Sequence, residues 1–190
     1  MNEKTRKITG IAIFSVIVAA LQLFSNYITF GPVSITLSLI PIVIGAIIYG
    51  PTAGLFLGMV NGLLVILAPG TQVFLSFSFF GTIALCLAKT GIAGLVAGYV
   101  YKFLSRLPAW WRVFLTSIAV PIINTGVFTL VMILFYTPLI ESFMGEDSQN
   151  IYQYIFLTMI GINFIIEFLV NSLLSPTILT LINYYKKHYK

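Results

Sequence analysis

Ionisable and nucleophilic side chains are scarce in this chain of 190 residues, and their scarcity excludes several classes of function. Only 8% of the residues are charged, whereas soluble domains carry roughly a quarter. Cys86 is the single cysteine, so neither a disulfide framework nor a thiolate metal site is available. The single histidine, His188, lies in the basic tail, which leaves no partner for a Ser-His relay or a histidine metal site. We therefore expect no catalytic residues and no bound metal.

No phosphate-binding loop of the form G-x-x-x-x-G-K-[ST] occurs in the sequence. The chain should therefore not hydrolyse ATP by itself, and we expect no cofactor of its own. The net charge of +5 could suggest a nucleic-acid partner, but the basic residues are few and sit at the edges of apolar segments. Membrane topology explains that placement better, so we expect no nucleic-acid partner.

Apolar sequence is what the chain has in abundance. Its residues are 59% hydrophobic and the mean hydropathy is +1.03. These values predict an integral membrane protein in the lipid bilayer, folded as a single domain over residues 1–190. The apolar runs predict an all-α, compact bundle of six transmembrane helices, at about residues 8–24, 37–49, 52–67, 80–104, 113–135 and 151–182. An even number of spans places both termini on one side.

The distribution of lysine and arginine predicts the orientation of this bundle. If both termini are cytoplasmic, every basic residue except Lys89 lies on the cytoplasmic side. The loop that carries Glu141, Glu146 and Asp147 is then external. The third span has Gly54, Gly58 and Gly62 at intervals of four residues, a spacing that lets another helix approach closely.

Lys89 is a cation inside an apolar span, and it is the first indication of a functional site. An ammonium group in hydrocarbon is costly, so Lys89 should face a cavity or an anionic partner. Counting along the helices places Asn61, Asn124, Asn163 and Glu167 at similar depth, in the outer and middle membrane. Asn61 could equally hold helices together beside the glycines of the third span. On the last span, Asn163 and Glu167 begin a polar stripe that continues through Asn171 and Ser175.

Two interpretations of this polar layer remain open. Lys89 and Glu167 are the two formal charges in the apolar spans, and they could form an internal ion pair that only holds two helices together. Alternatively, Lys89 is the counter-ion of a small, polar, anionic solute whose other groups are hydrogen-bonded by the amides. The number of amides at this depth exceeds what one ion pair needs, which favours the second interpretation.

Four stretches carry a resemblance to a known family: KITGIAIFSVIVAAL, ITLSLIPIVIGAIIYGPTAGLFLGMVNGLL, LAKTGIAGLVAGYVYKFL and INFIIEFLVNSLLSPTI. The sequence resembles the S component, the substrate-binding subunit, of an energy-coupling factor (ECF) vitamin transporter. The resemblance implies a high-affinity vitamin-binding subunit in a prokaryotic plasma membrane. It also implies partners: a transmembrane scaffold subunit and two cytoplasmic ATPases that drive an ABC-type importer.

The resemblance also implies roles for particular residues. Members of the family dock onto the scaffold through small residues on the first helix, and Ala12, Ser15 and Ala19 share one face here. Their substrate lies near the outer surface under the external loops, where Gln72 and the acidic loop fall.

Among the subfamilies, LSLIPIVIGAIIYGP and NFIIEFLVN are most similar to pantothenate-type S components. Lys89 suits the carboxylate of pantothenate, and Glu167 with the asparagines suits its hydroxyls and amide. S components for hydroxymethylpyrimidine, cobalamin, a queuosine precursor or folate share the scaffold, and the aromatic run from Phe74 to Phe80 would suit a ring-bearing vitamin. A membrane assembly protein without a transport role is the remaining alternative.

Overall fold

The computed structural model describes residues 2–30, 33–144 and 150–189, and nearly all of them are helical. A π-helical segment (Tyr154–Gly161) and a 3₁₀ turn (Leu104–Arg106) accompany the α-helices. The α-helices are α1 (Glu3–Ser25), α2 (Leu39–Tyr49), α3 (Pro51–Val65), α4 (Thr71–Phe77), α5 (Phe79–Phe103), α6 (Ala109–Phe135), α7 (Thr137–Phe143), α8 (Ile151–Gln153) and α9 (Ile162–Tyr189).

Within the described ranges, four helical segments are long and apolar enough to cross a membrane. They are Glu3–Ser25, Phe79–Arg106, Ala109–Phe135 and Ile151–His188, and α2 and α3 are shorter apolar helices. The prediction of an all-helical, multi-pass membrane protein is confirmed at this level. The count of six spans and the single domain stay predictions.

Several boundaries differ from the predicted ones for local reasons. The first helix begins at Glu3 rather than near residue 8, because the side chain of Asn2 caps it by accepting a hydrogen bond from Lys4 N–H. The predicted loop after α1 contains a two-residue antiparallel ladder of β1 (Thr29–Phe30) and β2 (Val33–Ser34). In the sequence, Gly31 and Pro32 predict a turn within this loop, and these two residues lie outside the described ranges.

A tight hairpin joins α2 to α3. Gly50 has a φ of 98°, a left-handed conformation that side chains disfavour, and Pro51 follows it at the first helical position. With 11 and 15 residues, α2 and α3 rise roughly 17 and 23 Å, less than the ~30 Å of a hydrocarbon core. The chain before α2 therefore enters the bundle, where Thr36 and Ser38 are buried.

The glycines of α3 allow the close approach of another helix, as the sequence predicts, and that helix is α5. A Cβ on Gly54 would overlap the carbonyl oxygen of Gly94, and one on Gly58 would overlap that of Thr90. Thr90 uses this proximity, since its hydroxyl donates to the carbonyl of Gly58 at 2.6 Å. The pair fixes the position of α5, and with it the position of Lys89.

We expect Gly58→Ala to lower stability by about 1–3 kcal/mol, because the added methyl group must push α3 away from the α5 backbone. Gly126→Ala on α6 is the matched control, since a Cβ there meets nothing within 4 Å. Thermal unfolding of the two variants in detergent makes the comparison. Equal melting temperatures would show that the close contact between α3 and α5 contributes nothing.

Two hydrophobic clusters fill the bundle, one towards each end. The first includes Leu39, Ala93 and Val120, and the second includes Leu85 and Phe128. Along α5, Lys89 falls between Leu85 and Ala93; along α6, Asn124 falls between Val120 and Phe128. The polar side chains thus form a layer between two apolar clusters.

Both described ends of the chain lie at the same end of the bundle, which we call the terminal end. Residues at the start of α1, including Lys7, line the same hollow as Tyr49 and Tyr185. An even number of membrane crossings requires this arrangement. Trp110 and Trp111 stack on each other near the same end, and both are exposed, as expected of anchors at the headgroup level.

Candidate functional site

The polar layer surrounds a small cavity in the half of the bundle away from the terminal end. Its walls come from the chain before α2, from α5 and α6, and from the last helical segment. The cavity volume is about 20 Å³, and the lining residues are Thr36, Lys89, Asn124, Thr125, Phe128, Ile160, Asn163, Phe164 and Glu167. Lys89, Asn124, Asn163 and Glu167, predicted from depth alone, are thus brought together at one place.

Lys89 places its ammonium group in this cavity without a direct ionic partner. The residue is only 5% exposed, and its Nζ lies 5.2 Å from the ring centroid of Phe128, within the range of a cation–π interaction. Across the described ranges, no ion pair within 4.0 Å is formed. Glu167 lines the same cavity but does not approach Lys89 as a contact pair.

Glu167 instead forms hydrogen bonds to two other segments of the bundle. Its Oε1 accepts a hydrogen bond from the backbone N–H of Thr36 at 2.7 Å, and its Oε2 accepts one from Asn124 Nδ2 at 3.4 Å. The carboxylate therefore connects α9 to the chain before α2 and to α6. A carboxylate has about four acceptor positions, so it can still accept hydrogen bonds from a molecule in the cavity.

Asn124 presents an acceptor that the protein does not use. The side chain is 4% exposed, and its Oδ1 has no hydrogen-bond partner among the described residues. The amide cannot be turned over, because its oxygen would then face Glu167 Oε2. A buried polar atom without a partner costs free energy, so a hydrogen-bond donor on a bound molecule would be stabilised by bonding to Asn124 Oδ1.

The polar stripe on α9 divides into two parts. Asn163 and Glu167 line the cavity, and Asn163 Nδ2 also donates to Met159 O at 3.3 Å. Asn171 Nδ2 donates to Glu167 O at 2.8 Å, and Ser175 Oγ donates to Ser172 O at 2.8 Å. Pro176 cannot donate to that last carbonyl, so Ser175 replaces the missing helical bond. Asn171 and Ser175 therefore make these hydrogen bonds within α9, and neither residue lines the cavity.

Two other predicted site residues are not brought to the cavity. Asn61 is fully buried and bonds Ser38 Oγ at 2.6 Å, and Ser38 also bonds Gln22 Oε1 at 2.8 Å. This cluster links α1, α2 and α3. Gln72 Nε2 donates to Ile66 O at 3.0 Å, a carbonyl just past the end of α3. Both side chains therefore make their hydrogen bonds at positions away from Lys89, although Asn61 Nδ2 has no hydrogen-bond partner among the described residues.

The aromatic run from Phe74 to Phe80, which would suit a ring-bearing vitamin, is partly a helix, α4. Phe74 is buried there, with its ring edge-on to those of Phe128, Tyr136 and Phe143. Phe128 also lines the cavity, so this aromatic cluster closes the cavity on the side away from the terminal end. Phe80, by contrast, is 82% exposed. In the acidic loop, Glu141 is exposed, and Glu146 and Asp147 lie outside the described residues.

Some cavity residues were not identified from the sequence. Phe128 lies one helical turn after Asn124, so the spacing of α6 could have placed it on the same face. Thr36 contributes its backbone N–H, and no side-chain pattern predicts such a donor. Thr125, Ile160 and Phe164 are apolar or weakly polar neighbours of the predicted asparagines.

The small residues predicted for docking lie on α1 at the edge of the bundle. Ala12 is exposed, and Ser15 and Ala19 are half-buried. Ser15 Oγ donates to Ile11 O at 2.9 Å, which satisfies its hydroxyl within the helix. This face therefore presents three small side chains, and none of them carries a polar group without a hydrogen bond.

Among the described residues, the helical membrane bundle encloses a buried cation in a polar cavity, an arrangement typical of substrate-binding membrane transport proteins. The family model described as "ECF transporter, substrate-specific component" matches residues 6–179. The chain belongs to this family, as the sequence resemblance predicted. It is a multi-pass transport subunit that works with other subunits on a small-molecule substrate. A search of curated proteins found no match.

Proposed function

We propose that this chain captures pantothenate in the outer half of the membrane for an ATP-driven importer. The observation that carries the proposal is the buried ammonium of Lys89, which has no ion pair within 4.0 Å among the described residues. In a membrane interior such a charge calls for an anion. A vitamin carboxylate would make the direct ionic contact with Lys89 that Glu167, held by Thr36 N–H and Asn124, does not make.

The groups around Lys89 support a ligand that also carries hydrogen-bond donors. Asn124 Oδ1 is free to accept, Glu167 retains acceptor positions, and Asn163 adds an amide at the same cavity. Pantothenate has one carboxylate, two hydroxyls and one amide N–H. Its charge would meet Lys89, and its donors would meet Asn124 and Glu167.

The cavity must widen to admit such a molecule. Its volume of about 20 Å³ suffices for roughly one water, whereas small-molecule sites measure roughly 300–1,000 Å³. We propose that the walls separate at Phe128 and Phe164, whose contacts are apolar and lose no hydrogen bond on opening. Glu167 would keep the opposite wall in place through Thr36 N–H.

The chain would form a single domain of six spans in a prokaryotic plasma membrane. With both termini on the cytoplasmic side, the cavity would lie towards the external side. Ala12, Ser15 and Ala19 would dock on a transmembrane scaffold subunit, whose two ATPases would supply the energy. The chain itself would carry no catalytic group and no cofactor.

The test is a vitamin screen on the purified chain. We expect pantothenate to co-purify, as detected by mass spectrometry, and to stabilise the chain by about 2.7 kcal/mol at a hundredfold excess over Kd. A shift from hydroxymethylpyrimidine, cobalamin, a queuosine precursor or folate instead would replace pantothenate as the substrate. An empty protein that no vitamin stabilises would favour a membrane assembly role.

A further inference from the structure

The chain before α2 reaches the cavity at Thr36 and is fastened to the rest of the bundle by the next two residues. Thr36 N–H donates to Glu167 Oε1, on the cavity side, at 2.7 Å. Leu37 N–H donates to Ser25 Oγ, in the last turn of α1, at 3.3 Å. The Ser38 hydroxyl enters a separate cluster of buried polar side chains. The position of Thr36 N–H therefore depends on the contacts of its two neighbours.

Ser38 stands at the N-cap of α2 but does not cap that helix. A serine at this position ordinarily accepts a hydrogen bond from a backbone N–H two or three residues further on, and within the described ranges Ser38 makes no such bond. Its Oγ lies instead 2.8 Å from Gln22 Oε1 and 2.6 Å from Asn61 Oδ1. All three residues are fully buried. The hydroxyl is thus used for contacts with α1 and α3.

The direction of the hydrogen bonds in this cluster is set by a backbone carbonyl. Asn26 Nδ2 donates to Leu64 O at 3.1 Å, which leaves Asn26 Oδ1 to accept from Gln22 Nε2 at 2.8 Å. Gln22 therefore faces Ser38 with its oxygen and takes the one proton of the hydroxyl. Asn61 cannot accept the same proton, so its amide turns over and donates from the otherwise unpaired Nδ2 to Ser38. The Ser38 hydroxyl is then the link that joins α1 and α3 to the start of α2.

We propose that Ser38 is a positioning residue of the cavity. Through Gln22 and Asn61 it holds the chain before α2 in place, so that Thr36 N–H keeps the carboxylate of Glu167 oriented towards a ligand. Ser38 does not line the cavity, so it acts on the site through its neighbour Thr36. The effect on ligand binding rests on the proposed function, whereas the effect on Thr36 does not.

Hydrogen exchange on the ligand-free full chain tests the positioning step by itself. In Ser38→Ala we expect the Thr36 amide to exchange about tenfold faster, while the amides of α5 keep their wild-type rates. Gln22→Met removes the partner of Ser38 on α1 and should have the same effect. Ser117→Ala is the matched control, because its buried hydroxyl donates to Val113 O within α6 and its loss should leave Thr36 unchanged.

A double-mutant cycle with Glu167→Ala separates positioning from a general loosening of the fold. We expect Ser38→Ala to weaken pantothenate binding about tenfold in the wild-type chain. In the Glu167→Ala background the further loss should be less than about twofold, because no carboxylate is left to orient.

Equal losses of affinity in the two backgrounds would overturn the positioning role. Wild-type exchange at Thr36 in both Ser38→Ala and Gln22→Met would overturn it as well, whatever the chain binds. If exchange at Thr36 accelerates as expected and the wild-type chain binds no pantothenate, the positioning of Thr36 is supported and the proposed substrate is overturned.

Discussion

Replacing Lys89 by methionine is expected to weaken pantothenate binding by on the order of a hundredfold to a thousandfold, since leaving a buried charge without its partner costs about 3–5 kcal/mol. Methionine fills a similar volume, so the fold should persist. The ammonium is buried in the cavity and faces Phe128, and no other cation among the described residues lines that cavity. Isothermal titration calorimetry on the purified variant measures the loss.

Lys102→Met is the matched control for this experiment. Lys102 lies on the same helix, α5, but is exposed near the terminal end and lines no part of the cavity. Its replacement should leave the affinity unchanged. If Lys89→Met binds pantothenate as tightly as the wild-type chain, Lys89 is not the counter-ion, and the cavity has another purpose.

Replacing Glu167 by alanine is expected to lower both stability and affinity. The change removes the acceptor for Thr36 N–H and for Asn124 Nδ2, and each buried donor left unpaired costs about 1–3 kcal/mol. The chain before α2 would lose its connection to α9, so binding should fall at least tenfold. Thermal unfolding and calorimetry measure the two effects.

Glu167→Gln distinguishes the hydrogen-bonding role of Glu167 from its charge. Glutamine can still accept from Thr36 N–H, and Asn124 can turn its amide to pair with the new NH₂ group. Stability should then stay near that of the wild type. Affinity should fall moderately, because Asn124 Oδ1 would no longer be free for the ligand. Glu141→Ala, an exposed acid on α7, should change neither quantity; equal destabilisation in Glu141→Ala and Glu167→Ala would remove the special role of Glu167.

The sequence predicts the polar layer because burying a charge or an amide in hydrocarbon is so costly that depth alone restricts its position. Lys89, Asn124, Asn163 and Glu167 meet for this reason. Depth does not tell which way a side chain faces, however, and Asn61 at similar depth is turned towards Ser38 instead. The orientation of the Asn61 side chain depends on the contact between α1, α2 and α3, which depth along a helix does not predict.

Other parts of the site depend on features that side-chain patterns do not encode. Thr36 reaches Glu167 through its backbone, and only because α2 is too short to carry that backbone out of the bundle. Gln72 was assigned to the site because the resemblance places the substrate under the external loops, but its segment forms α4 and its amide donates to a carbonyl just past the end of α3. The π-helical segment before α9 likewise changes which residues face inward, and the residue spacing used for an α-helix does not anticipate it.

In the proposed mechanism the buried Lys89, which has no ion pair within 4.0 Å among the described residues, recognises the carboxylate of the substrate. Calorimetric titration of the wild-type chain with pantothenate, and with its alcohol analogue in which CH₂OH replaces the carboxylate, tests this most directly. Both ligands offer the same amide and hydroxyls, so only the charge differs. We expect the alcohol to bind on the order of a hundredfold more weakly, because Lys89 would stay unpaired. Equal affinity for the two ligands would contradict the role of Lys89.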